Sequence, residues 1–298
     1  MTKKSKLFIT LTLIISWLYA GIIYLAGVKW NTVPAVIAAV GYMYIPAIIT
    51  IIVQKVIFKE PVMETLGVSF KLNRWFLVAW LLPPLLAFAT IGISVLLPGV
   101  EFSPEMTGLI ERFKQVLPPE QVSLMEESLK ENPSRILLMA LVQGLIAGIS
   151  VNALAAFGEE LGWRGLLFKE TRAMGFWKSS AIIGAVWGIW HWPLIIQGHN
   201  YPEHPVAGVL MMVIFCILLS PIFNMVREKS GSVVAAAVVH GSLNGTAGIA
   251  LMLVRGGSDL LVGLTGLAGF IVLGVVNAII YLGSRHVRKL PANSLSEE

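Results

Sequence analysis

The sequence predicts an all-α, polytopic membrane bundle of about eight transmembrane helices. Three observations carry that reading. Apolar residues fill 56% of the 298 positions and charged residues only 13%, whereas soluble domains are about a quarter charged. The mean hydropathy is +0.78. Finally, the apolar residues fall in runs of the roughly 20 residues that a bilayer-crossing helix requires, at 7–28, 33–58, 75–97, 136–168, 179–197, 206–226, 232–254 and 260–283. The whole chain, 1–298, reads as one membrane domain.

The first run follows Lys3, Lys4 and Lys6, as a signal peptide would. It is too long for one and lacks a small-residue cleavage site, so it reads as an anchor. Prolines at 34, 46, 83, 84, 193 and 221 are expected to kink the helices that hold them, with neighbouring helices satisfying the freed carbonyls. The 98–135 segment is the one sizeable polar stretch, with seven Glu against four Lys/Arg and an amphipathic helix expected over Glu120 to Lys130. It reads as a solvated cap on the non-cytoplasmic side. The tail from Pro291 to Glu298 is expected to be disordered. Lys and Arg set the orientation. With the N-terminus inside, the inside segments carry sixteen Lys/Arg and the outside segments six, which places both termini in the cytoplasm.

Composition also excludes function classes. The single cysteine, Cys216, rules out a disulfide framework, a cysteine-based metal site and a paired redox motif. Asp259 is the one aspartate, so a two-aspartate intramembrane protease is excluded. The net charge of +5 follows from topology and does not indicate a nucleic-acid partner.

An ionisable group inside a span costs at least about 2.5–3.5 kcal/mol on insertion scales and marks function by default. Three such places stand out. The fourth run holds Glu159, Glu160 and Arg164, the fifth holds His191 within a Trp-rich stretch, and the seventh holds His240 and Asn244. From the rise per residue, Glu159 lies roughly 15 Å, His240 roughly 12 Å and His191 roughly 20 Å from the same cytoplasmic face. Three helices thus bring Glu and His to similar depth. Glu160 and Arg164, four apart, form an ion pair on one face, with Glu159 turned roughly 100° away. His240 and Asn244 also share a face and suit a pair of oxyanion donors, while Glu159 with His191 suits a general base acting on water. His199 and His204 read as solvated loop residues. A zinc ion on Glu159, His191 and His240 has acceptable ligand types, although nothing in the spacing demands one and no cofactor is otherwise expected. There is no HExxH and no GxSxG.

Glu159-Glu160-x-x-x-Arg164, Trp187-x-x-x-His191 and His240-x-x-x-Asn244 together resemble the signature of the CAAX protease and bacteriocin-processing family, intramembrane glutamic endopeptidases related to the type II CAAX prenyl protease. The motifs fall within a core of about 136–250. The resemblance implies eight helices around a conical cavity open to the cytoplasm. It also implies that Glu159 and His191 activate water, that His240 and Asn244 stabilise the oxyanion, and that Glu160 and Arg164 support the site. Trp187 stands where Phe is commoner. The expected partners are the lipid bilayer and a hydrophobic or lipidated peptide, either a prenylated CAAX-type tail or a bacteriocin-like peptide, in the plasma membrane of a prokaryote. Two alternatives stay open: a non-proteolytic scaffold or self-immunity factor of the same fold, and a transporter, which should show inverted repeats.

Overall fold

The protein is described from a computed structural model covering residues 1–28, 32–114 and 117–289. Lys29 and the tail from Pro291 lie outside the described residues. In chain order the elements are α1 (Lys3–Leu25), α2 (Val33–Ile51, continued by a π-helical turn Ile52–Ile57), α3 (Met63–Leu66), α4 (Arg74–Ser94), β1 (Val100–Phe102), α5 (Thr107–Phe113), α6 (Pro119–Glu131), α7 (Pro133–Ile149), α8 (Val151–Glu160, continued by a π-helix Leu161–Leu167), α9 (Phe168–Thr171), α10 (Phe176–Trp190), α11 (Trp192–Ile195), α12 (Pro205–Ser230), α13 (Val233–Thr246), α14 (Ile249–Met252), β2 (Val254–Gly256) and α15 (Leu267–Lys289). The all-α membrane bundle is as expected.

Side chains set several helix starts. Thr2, Asn73 and Ser232 each accept a backbone N–H of the first turn of α1, α4 and α13, the usual role of short polar N-caps. Pro46, Pro83, Pro84 and Pro221 lie buried inside helices.

Two of the eight apolar runs are not single regular helices. Among the described residues, six helices are long and apolar enough to cross a membrane, and seven if α6 and α7 are taken together as one bent span. The two shortfalls are the runs at 136–168 and 179–197. A continuous helix over 136–168 would be roughly 50 Å long, far beyond a hydrocarbon core of about 30 Å. The chain instead breaks at Ser150 (φ −122°, ψ −106°) and later widens into the π-helix. The 179–197 run ends as a helix at Trp190, because Pro193 has no N–H and its ring clashes with the preceding turn. The last helix also starts later than 260, since 257–266 is irregular and Gly257 and Gly263 take positive φ. The 98–135 segment is partly folded. Its amphipathic helix is α6, and β1 pairs antiparallel with β2, Glu101 opposite Arg255.

Two ends of the bundle are distinct. At one, Lys4 is buried against Gln54 and Glu60, Asn73 bonds Ser230, and Arg227 bonds Leu66 and Arg164 carbonyls. Hydrogen bonds from Lys4 and Lys169 hold the Glu60 carboxyl down at about 2. At the other end lie the β1–β2 pair and the loops 196–204 and 257–266, joined by Tyr201 to the Thr265 carbonyl (2.7 Å) and by His204 to Asp259 (2.6 Å).

Around the site the helices meet through glycine. A Cβ on Gly241 would stand 2.5 Å from the Gly148 carbonyl and the Ala153 nitrogen, and one on Gly144 would stand 2.2 Å from the Gly245 carbonyl. Such small-residue contacts let membrane helices approach at backbone distance. Both obstacles are backbone and cannot turn aside. Gly241→Val should therefore destabilise the bundle by at least about 1–3 kcal/mol, read as a lowered Tm of the detergent-purified protein, whereas Gly274→Ala, with open space at its Cβ, should leave the Tm unchanged.

Candidate active site

Glu159 and Glu160 close α8, Arg164 lies in the π-helix that follows, His191 sits in the turn between α10 and α11, and His240 and Asn244 are on α13. The π-helix begins directly after the two carboxylates, and such insertions often accompany functional sites. Four of these groups are nearly sealed from solvent, with Glu160 and Arg164 at 0%, Glu159 at 3% and His240 at 5% exposure.

Glu160 is the hub. Its Oε1 accepts Arg164 Nη1 at 3.1 Å and lies 2.8 Å from His240 Nδ1. Arg164 also donates to Ser220 Oγ at 3.1 Å, and its guanidinium stands 4.5 Å from the Trp187 ring and 4.7 Å from the Phe223 ring. The ion pair read from the i, i+4 spacing is present. The link from Glu160 to His240 was not legible, because it spans 80 positions. Since a carboxylate only accepts, Nδ1 of His240 carries a proton and Nε2 is left for the cavity.

Glu159 does point away from Glu160. Its Oε2 accepts the indole N–H of Trp187 at 2.7 Å and that of Trp163 at 3.4 Å. These hydrogen bonds run to indoles rather than to His191. His191 Nδ1 is 2.8 Å from the Trp187 carbonyl oxygen. A carbonyl cannot donate, so His191 holds its proton on Nδ1 and presents Nε2 as a base. Trp163 lies four residues from Glu159, so spacing alone could have named it. Trp187 and Ser220 carried no sequence signal for these roles.

Glu159, His191, His240 and Asn244 all line one cavity of about 370 Å³, with Tyr42, Met43, Trp187, Met212, Cys216 and Leu243 among its walls. The cavity reaches His199, Asn200, Leu264 and Thr265, so His199 is a wall residue and not simply solvated. His204 is likewise engaged, with Asp259. Trp163, Leu166, Leu167, Ile222 and Val226 are fully buried.

The zinc set is a poor fit. Among the described residues, the three-residue group of His, Cys, Asp or Glu whose donor atoms lie within 4.8 Å of one another is Glu203, His204 and Asp259. Glu159, His191 and His240 do not converge in that way.

The segment that carries all three motifs has known relatives. Residues 132–246 match the family model described as Type II CAAX prenyl endopeptidase Rce1-like. A curated protein of Methanococcus maripaludis named CAAX prenyl protease 2 is 43% identical over 49 residues. That match covers 16% of this chain and 18% of the relative's length.

Breaking a buried ion pair from one side costs about 3–5 kcal/mol, because the partner charge is stranded. Arg164→Ala should therefore lower stability by that amount in a detergent unfolding assay. Arg164→Lys should not restore it, since a point charge cannot bond Glu160 and Ser220 while lying flat between two rings.

Proposed function

We propose that this protein is an intramembrane endopeptidase that hydrolyses peptide bonds of hydrophobic or lipidated peptides by direct attack of water. The observation that supports this most is the meeting of a carboxylate, two histidines with oriented rings and an exposed amide around one cavity inside the membrane-spanning bundle. The family match of residues 132–246 agrees with it.

In this reading a water in the cavity gives its proton to Glu159, with His191 Nε2 accepting its second hydrogen bond. The oxygen attacks the scissile carbonyl carbon, and the carbonyl π electrons pass to its oxygen. His240, doubly protonated with Glu160 as counter-ion, donates from Nε2 to that oxyanion, and Asn244 donates its amide N–H. Donors fixed before the reaction are worth most in a site that excludes bulk water. The tetrahedral species collapses, the C–N bond breaks, and Glu159 returns the proton to the leaving amine. There is no acyl-enzyme, and no step uses a metal. Apolar cavity walls suit substrates that arrive from the bilayer, such as prenylated CAAX-type or bacteriocin-like peptides in a prokaryotic plasma membrane.

Purified protein should cleave such a peptide, and Glu159→Ala should abolish the cleavage, a loss of at least about 1000-fold where the general base and the water's anchor go together. Full activity of Glu159→Ala in a working assay would refute the mechanism. Cleavage should survive exhaustive chelation; its loss, with recovery on added zinc, would restore the metal alternative.

We further propose that both termini are cytoplasmic, so that the cavity rim at Asn200 and Thr265 faces the other side. With Cys216 replaced by Ala, Glu203→Cys should react with a membrane-impermeant maleimide on intact cells, and Arg172→Cys only after permeabilisation. The reverse pattern would invert the orientation.

A further inference from the structure

We infer that Trp187 is a positioning residue for hydrolysis: its indole N–H holds Glu159, and its backbone carbonyl holds His191. The inference rests on the endopeptidase reading above and extends it to a residue that the motif alone makes only a wall.

The geometry is specific. Trp187 Nε1 donates to Glu159 Oε2 at 2.7 Å, the shorter of the two indole contacts on that oxygen. Both indoles fall on Oε2, which leaves Oε1 as the oxygen that can address a water. The same residue's carbonyl lies 2.8 Å from His191 Nδ1, one helical turn on, and so selects the tautomer with Nε2 available. Trp187 thus orients both groups that would share the attacking water.

The ring has little room to turn. It packs against the His240 ring at 5.4 Å, Phe223 at 5.7 Å and His191 at 5.8 Å, with the Arg164 guanidinium over one face at 4.5 Å. Trp187 is 2% exposed. A donor locked in this way keeps its hydrogen bond without reorganising during the reaction, the condition under which positioned dipoles accelerate chemistry. Phenylalanine at this position would keep an aromatic wall and the backbone carbonyl but would lose the N–H.

Trp187→Phe therefore isolates the indole donor. A hydrogen bond to a charged acceptor is worth enough that kcat should fall roughly 10- to 100-fold, with KM within about 2-fold, since ground-state binding is untouched. Trp163→Phe, losing the 3.4 Å contact, should fall less. A purely structural tryptophan would lower the Tm and leave kcat per folded molecule unchanged. A second readout needs no turnover. In protein labelled with 15N at the indoles, the N–H resonance that disappears in Trp187→Phe should be a strongly hydrogen-bonded, downfield one, and it should move upfield in Glu159→Ala. If that resonance is indifferent to Glu159→Ala, or if Trp187→Phe keeps full kcat while the wild type is active, the positioning role is wrong. If the wild type cleaves nothing while the resonance shifts as expected, the hydrogen bond stands and the endopeptidase reading, and with it the catalytic role, fails.

Discussion

The structure around the site depends on one buried carboxylate. Glu160 has no exposure, and an ion in such a place survives only if opposite charges and donors surround it. It finds Arg164 on its own helix and His240 on α13, and Arg164 carries the connection on to Ser220 of α12. Three segments of the bundle are therefore tied at a single point. The same point fixes the His240 ring, so fold and site cannot be perturbed separately there.

The helices that bear the site are the irregular ones. The run at 136–168 breaks at Ser150 and widens over Leu161–Leu167, and α10 stops at Trp190 ahead of Pro193. Long regular spans such as α1, α4 and α12 frame this interior. A helix end inside the bundle frees a side chain such as His191 from the crowded lateral face and turns it toward the cavity. Such irregular backbone is tolerated at membrane depth because it is buried in protein rather than in lipid. The cavity lining reaches the loops at the end opposite the basic one, where Tyr201–Thr265 and His204–Asp259 join the two loops.

The polar atoms of the site fall into two groups. Main-chain and carboxylate acceptors take Nδ1 of each histidine, so both rings offer Nε2. Indole donors take one oxygen of Glu159. Among the described residues Glu160 Oε2 is buried without a hydrogen-bond partner, and Glu159 Oε1, the Nε2 atoms of His191 and His240 and the Asn244 amide are the set a water and a peptide carbonyl would need. Glycine contacts such as Gly241 against Gly148 bring the helices near enough for this set to share one cavity.

The sequence by itself determined the all-α membrane class, because apolar runs of span length answer to the bilayer alone. It also determined the Glu160–Arg164 pair, because i, i+4 neighbours meet wherever the chain is helical. The convergence of Glu159, His191, His240 and Asn244 was legible as shared depth, which rise per residue sets. It could not determine the number of regular spans, since the break at Ser150 and the stop before Pro193 depend on how two long segments fit within a bundle of limited thickness. Nor could it find Glu160–His240 or Trp187–Glu159, contacts between residues 80 and 28 positions apart. That the cavity lining reaches the loop residues His199, Asn200 and Thr265 was likewise decided only by packing. Local spacing specifies what shares a helical face; only the assembled bundle specifies which faces meet.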